Sequence, residues 1–167
     1  MKKEVQKLAV SVVESHLIPE LIDLTFHKEA KFAFHAAWIL ENVWICYANE
    51  FNKHILFFSE RYHFQENQSC RRHFTNIMMD LAAERRLQVL GSDLKMQLVE
   101  TTFRWLIDPP TPVAVKVNCL DILFFMRDED DWIAEELREQ TVYLLKDGSP
   151  AMQSRGKKIL QKLQRQK

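Results

Sequence analysis

The chain has 167 residues, of which 47% are hydrophobic and 28% are charged, so it can bury one sizeable core beneath a polar surface. Only three glycines and five prolines occur, which disfavours a sheet rich in tight turns and a disordered linker. The 23 basic and 23 acidic side chains cancel. This balance argues against a general nucleic-acid coat and a polybasic membrane anchor, but it permits a local patch of either sign.

The cysteines and the first residues indicate the compartment. Cys46, Cys70 and Cys119 lie far apart in apolar contexts and form no CxxC pair, which disfavours a zinc ribbon or a redox motif. An odd number of thiols is typical of a reducing compartment. Ser11 and Glu14 interrupt the first apolar run, so we predict an amphipathic helix there and no signal peptide. No stretch approaches the roughly 20 apolar residues that span a bilayer. We therefore expect a cytoplasmic protein that has no membrane partner.

Apolar residues recur at helical spacing along most of the chain, and no segment shows a strand signal. In the fourth predicted helix, Phe51, Ile55 and Phe58 stand at i, i+4 and i+7 and therefore share one face. Short connections favour antiparallel neighbours. The sequence thus predicts about nine helices in antiparallel pairs, over residues 3–15, 19–27, 30–48, 50–62, 69–83, 91–107, 111–126, 130–146 and 149–163.

Proline and small polar residues mark the predicted helix ends. Prolines 109 and 110 end the sixth helix, because proline lacks the helical hydrogen-bond donor and restrains the residue before it. Thr111-Pro112 and Ser149-Pro150 each combine an N-cap residue with a proline in the first turn, so each predicts a helix start. Ser69 is the predicted N-cap of the fifth helix.

Four of these helices share a pattern. Each has an apolar pair that ends at residue 40, 78, 123 or 160, in steps of 38, 45 and 37 residues. Repeats of about 40–47 residues are typical of HEAT and armadillo arrays, in which helix pairs stack. The pattern therefore predicts an all-α fold of the α-α superhelix (solenoid) class. Since each pair needs its neighbours to bury its apolar face, we expect one domain over residues 1–167.

The segments at residues 34–41, 70–74, 112–118 and 149–160 resemble those of a family of small HEAT-like helical-repeat proteins of Bacteroidetes. The resemblance extends over residues 17–160 and implies a helical-repeat fold without indicating an activity. Some members of that family are labelled adenylosuccinate lyase. This sequence lacks the glycine- and serine-rich signature of that enzyme, and it is too short for the enzyme's long central bundle. The resemblance therefore does not support that label here.

A polar residue stands five positions before the end of each apolar pair: His35, His73, Asn118 and Arg155. We expect these side chains to hydrogen-bond to the neighbouring repeat, because buried polar groups need partners. The alternative, a histidine pair for catalysis or metal binding, requires the two rings to meet. No HExxH, GxSxG or Walker-type motif occurs. We therefore predict no metal, no cofactor and no catalytic residues, and the remaining alternative is an enzyme whose site the sequence does not reveal.

The main functional hypothesis is a non-enzymatic interaction module, or scaffold, that binds another protein. Solenoids offer extended surfaces, commonly lined by the second helix of each pair. The candidate partner-binding positions on those helices are Lys53, Arg61, Lys95, Arg104, Glu135 and Arg138. The sequence leaves the oligomeric state open.

The alternative hypothesis is a nucleic-acid-binding protein related in fold to the HEAT-like DNA alkylation glycosylases, which line their concave face with basic groups. Its candidate residues are Arg71, Arg72, Arg155 and Lys158, with His73, Arg85, Arg86 and Lys157. This hypothesis is an analogy at the level of fold. The acids between residues 128 and 139 and the bases between 155 and 167 read as two solvated helix faces, or as a contact surface for an acidic partner or for phosphates.

Overall fold

A computed structural model of the chain describes residues 2–165, and all the regular structure in that range is helical. The described residues form ten α-helices and one short 3₁₀ helix, Arg86–Val89. The α-helices are α1 (Lys2–Glu14), α2 (Ile18–Leu24), α3 (Ala30–Cys46), α4 (Ala48–Asn52), α5 (Ile55–Tyr62), α6 (Gln68–Ala83), α7 (Ser92–Ile107), α8 (Val113–Phe125), α9 (Asp131–Leu144) and α10 (Pro150–Gln164).

The chain divides into two compact units, with the boundary between Ile77 and Met78 inside α6. In the first unit, α1 and α2 both pack against α3, and α5 packs against α2. Its core contains a chain of aromatic rings. The Phe51 ring lies 5.5 Å from that of Trp44 and 5.4 Å from that of Phe58, and the Phe58 and Phe74 rings are 4.9 Å apart. Such ring pairs add to the stability that burial of the rings provides.

The prediction of a single fourth helix over residues 50–62 is wrong. The segment forms α4 and α5, which are separated at Lys53 and His54. The His54 backbone leaves the helical region, with φ −120° and ψ 12°. Phe51, Ile55 and Phe58 are nevertheless all buried, as their spacing predicts. The number of helices therefore rises from about nine to ten, while the buried face is the predicted one.

In the second unit α8 is the central helix, because it packs against α7, α9 and α10. Val115, Cys119, Leu120 and Leu123 are fully buried on it. A helix that is apolar on most sides is expected to be surrounded by other elements. The α7–α8 and α9–α10 connections are short, and the two helices that each connects pack against each other.

The helix starts show which capping predictions hold. Ser149 caps α10 as predicted, since its hydroxyl accepts a hydrogen bond from the Met152 amide. The Ser69 prediction is wrong, because α6 begins one residue earlier. Asn67 performs that role, with its Oδ1 accepting hydrogen bonds from the amides of Ser69 and Cys70. Thr111 makes no N-cap bond to α8, and its hydroxyl donates instead to the Asp108 carboxylate.

Between residues 2 and 165, no helix combines the length and apolar character needed to cross a membrane.

Candidate interaction surface

A buried polar cluster connects α3 and α6 in the first unit. Nδ1 of His73 lies 2.5 Å from Oε2 of Glu41, and the Asn76 amide donates to Oε1 of the same carboxylate at 2.6 Å. Burial raises the pKa of Glu41, but the hydrogen bonds from His73 and Asn76 outweigh it, so that the pKa lies below its ordinary value. The cluster therefore holds an ionised carboxylate between two helices.

The corresponding arrangement in the second unit joins α8 and α10. Nη1 of Arg155 lies 3.0 Å from Oδ2 and 3.2 Å from Oδ1 of Asp121. The Asp121 side chain is 4% exposed and that of Arg155 is 43% exposed. Burial raises the pKa of Asp121, and the charges of Arg155 and Lys162 only partly oppose that rise. The guanidinium thus partners an acid that has little access to water.

These pairs decide the role of the recurrent polar position. His73 and Arg155 bond to a carboxylate on a neighbouring helix, so the predicted structural role is confirmed for both. His35 is exposed and Asn118 is half-buried. His73 is buried, so its assignment to a basic surface in the nucleic-acid hypothesis is wrong. The prediction named only the recurrent polar position, and it did not identify Glu41 and Asp121 as the acids that His73 and Arg155 contact.

Several candidate residues of the two hypotheses are held by contacts within the chain, among them Arg155, described above, and Lys53, Arg61, Arg71 and Lys95. The Lys53 ammonium lies 2.6 Å from a Glu50 oxygen, and the Arg61 guanidinium lies 2.6 Å from Asp23. Arg61 also stacks on the Phe57 ring, 3.2 Å from its centroid.

Arg71 and Lys95 are held by contacts with loop residues. Arg71 Nε donates to the Gln65 carbonyl at 2.8 Å, which fastens the loop before α6. The Lys95 ammonium lies 2.6 Å from the Glu129 carboxylate, and both side chains are largely buried. These contacts give Arg71 and Lys95 structural roles.

The remaining candidate residues are more accessible. Arg72, Arg104, Glu135 and Lys158 are exposed, and Arg138 is half-buried. Glu135 and Arg138 lie on α9, and Lys158 lies on α10, which packs against α9. The second unit therefore brings an exposed acid and an exposed base onto adjacent helices, while Arg72 belongs to the first unit.

An apolar groove in the first unit was not predicted. It lies between α1 and α3, has a volume of about 510 Å³, and is lined mainly by Val5, Leu8, Trp38 and Ile39, with His35 beside them. Leu8 is 50% exposed. The sequence signal was the recurrence of apolar residues on α1 beyond those that the core needs, since Val5 and Ala9 already fill the buried face.

The cysteines and the potential metal ligands were also candidates for a reactive or metal-binding site. Cys70 is buried, and burial raises the pKa of its thiol to about 11, so the thiol stays protonated and is a poor nucleophile. Cys46 is exposed, and all three cysteines are free. Across residues 2–165, no group of three or more His, Cys, Asp or Glu side chains is arranged to hold a metal ion.

Comparison with known proteins identifies a family. The family model described as a HEAT repeat domain matches residues 1–163, which is nearly the whole chain. The chain has no significant match among curated proteins or solved structures. The helices of the structure and this match together confirm the predicted all-α, α-α superhelix class.

Proposed function

Because this chain belongs to the HEAT repeat domain family, we propose that it is a non-enzymatic interaction module, or scaffold, whose macromolecular partner is another protein. Helical repeats of this kind stack their pairs and offer extended surfaces to other macromolecules. The proposal includes the expectation that residues 1–167 act as a single domain. It also includes a relationship to the small HEAT-like proteins of Bacteroidetes, which the sequence resembles.

The observation that carries this proposal is the distribution of charge in the second unit. The buried carboxylate of Asp121 is engaged by Arg155, and that of Glu129 by Lys95. Exposed charges on α9 and α10 include Glu135, Glu139, Lys157 and Lys158. Charges that are paired and buried are already engaged within the fold, whereas charges on an exposed face are available to steer and orient a partner. We therefore place the partner-binding surface on α9 and α10, around Glu135 and Lys158.

We also propose that the protein acts in the cytoplasm. Three free cysteines, one of them exposed, are typical of a reducing compartment.

The test is capture of a partner by the tagged full-length chain from a lysate of the native source, with and without nuclease. The test variant is Glu135→Lys/Lys158→Glu, which reverses two exposed charges and leaves the net charge unchanged. The matched control is Lys31→Glu/Glu100→Lys, which reverses two exposed charges outside α9 and α10. Surface substitutions of this kind shift stability by no more than about 0.5 kcal/mol, so both variants stay folded.

We expect the wild type and the control to retain a discrete protein partner after nuclease treatment, and the test variant to lose it. If the test variant binds as well as the control, the surface assignment is refuted. If no partner is captured by the wild type, the interaction-module proposal itself fails.

A second candidate function, nucleic-acid binding, is favoured by one specific observation. Residues 155–165 contain Arg155, Lys157, Lys158, Lys162 and Arg165 and no acid. Phosphate contacts release counterions, so this hypothesis requires an affinity that falls steeply with salt. A salt titration on intact and damaged duplex DNA tests it, and binding that is absent or independent of salt rejects it.

A further inference from the structure

The exposed face of α9 carries a row of like charges. Asp131, Glu135 and Glu139 recur at i, i+4 and i+8, and all three are exposed. We call them the acidic stripe. Within the described residues, none of the three takes part in an ion pair or a side-chain hydrogen bond. Like charges four residues apart on a helix repel one another. Glu135 and Glu139, which stand four residues apart, therefore repel each other unless an opposite charge approaches from outside.

The exposed face of α10 carries the opposite charge. Lys158, Lys162 and Arg165 recur at i, i+4 and i+7 and are exposed, with the exposed Lys157 beside them. We call these four residues the basic stripe. At 1.5 Å per residue, the acidic stripe is about 12 Å long and the i to i+7 span of the basic stripe is about 10 Å long. The two stripes therefore match in length and oppose each other in sign.

The acidic and basic stripes lie on helices that pack against each other within the second unit, yet they do not neutralise each other there. We propose that the chain associates with a second copy of itself, in which the acidic stripe of each copy faces the basic stripe of the other. A symmetric pair makes this contact twice, because a two-fold interface is self-complementary. The inference names a partner for the proposed interaction module, and so it rests on the proposed function.

Two further features of the chain fit a second copy as the occupant. The formal net charge is zero, so two copies do not repel each other at long range. Large aromatic side chains stand beside the acidic stripe: Trp132 is 40% exposed and Tyr143 is 66% exposed. Aromatic residues are enriched at protein interfaces, where they add apolar contact area to the charge pairs.

The first measurement is the mass of the full-length chain by sedimentation equilibrium, over a range of concentrations, at about 0.1 M and about 1 M NaCl. The Debye length falls from roughly 10 Å to roughly 3 Å between these conditions, so contacts between exposed charges weaken. We expect a mass well above 19.9 kDa at low salt, which falls toward 19.9 kDa at high salt. A mass of 19.9 kDa at every concentration and at both salts overturns the inference.

The second measurement compares the association of two charge-reversal variants, each alone and in an equal mixture. Lys157→Glu/Lys158→Glu changes the charge of the basic stripe from +4 to 0, and Glu135→Lys/Glu139→Lys changes the charge of the acidic stripe from −3 to +1. We expect each variant alone to associate at least about tenfold more weakly than the wild type, and an equal mixture of the two to form a 1:1 complex. The control, Lys28→Glu/Lys31→Glu, makes the same change in net charge as Lys157→Glu/Lys158→Glu, but at exposed positions of the first unit. It should associate like the wild type.

The inference is overturned if either stripe variant alone associates as strongly as the wild type, or if the mixture does not recombine. It is also overturned if the control weakens as much as the stripe variants, or if association disappears on nuclease treatment. Circular dichroism on each variant confirms that it is folded. A chain that stays monomeric but still captures a different protein from lysate retains the proposed function and refutes only self-association.

Discussion

Replacement of Arg155 by methionine tests how a nearly buried carboxylate is tolerated in the second unit. The substitution keeps the long apolar part of the side chain and removes the guanidinium, which lies 3.0 Å from Oδ2 of Asp121. The Asp121 side chain is only 4% exposed, so its charge then has little water and no guanidinium to compensate its burial.

The expected loss of stability follows from the exposure of the two partners. Removal of one member of a fully buried ion pair costs about 3–5 kcal/mol. The Arg155 side chain is 43% exposed, so solvent already screens part of its interaction with Asp121. We therefore expect Arg155→Met to lower the free energy of unfolding by about 1–3 kcal/mol near neutral pH. The double variant Asp121→Leu/Arg155→Met, in which no charge is left buried, should recover most of this loss.

The pH dependence distinguishes an unpaired charge from lost packing. The folded-state pKa of Asp121 is raised above its ordinary value of 3.8, so the folded state takes up the proton more readily than the unfolded chain. Stability from this group therefore increases as the pH falls through the raised pKa toward 3.8. Loss of Arg155 raises that pKa further, so the penalty of Arg155→Met should be largest at neutral pH and should shrink on acidification.

The assay is urea denaturation of the wild type and the variants at several pH values, at a protein concentration low enough to keep the chain monomeric. The control is Lys157→Met, at an exposed position of the same helix, which should change stability by no more than about 0.5 kcal/mol. A penalty for Arg155→Met that does not vary with pH would refute the reasoning, because it would show that the loss comes from packing and not from the Asp121 charge.

Three further substitutions test other features of the fold by the same denaturation assay. Glu41→Gln should lower stability by about 1–2 kcal/mol at neutral pH; since the pKa of Glu41 lies below 4.5, the loss should vanish as the pH falls through that pKa, and a loss that persists in acid would contradict it. Arg85→Gly should stabilise by about 1 kcal/mol, because Arg85 follows α6 with a φ of 57°; an unchanged midpoint would show that the left-handed backbone carries no strain. Gly156→Val should destabilise by about 1–3 kcal/mol, because an added Cβ lies 3.0 Å from Leu145 and 3.1 Å from Thr141; a neutral result would show that α9 can move away from α10.

The helix positions were predictable where local chemistry decides them. Ser149 caps α10 at the predicted residue, and the break at prolines 109 and 110 separates α7 from α8. Both features depend on backbone groups within a few residues of the signal, so they need no information about distant contacts. The N-cap of α6 was misplaced by two residues, because Asn67 and Ser69 are both acceptable caps and the chain uses Asn67.

The division of residues 50–62 into α4 and α5 shows where local reasoning ends. Phe51, Ile55 and Phe58 keep helical spacing and are all buried, so the pattern identified the buried face correctly. The spacing does not reveal whether the backbone stays helical at every residue between them. Packing overrides propensity here, because rings in contact with Phe51 and Phe58 hold both segments against the same core.

By itself, the sequence determined the all-α class, most helix boundaries and the buried face of residues 51–58, because these follow from the 3.6-residue period and from the chemistry of proline and capping residues. The tertiary structure alone decided which charges are used inside the fold. His73 meets Glu41 across 32 positions, and Arg155 meets Asp121 across 34. Such pairs depend on which helices pack together and on how each helix is rotated about its axis. The spacing of residues within one helix gives no information about either.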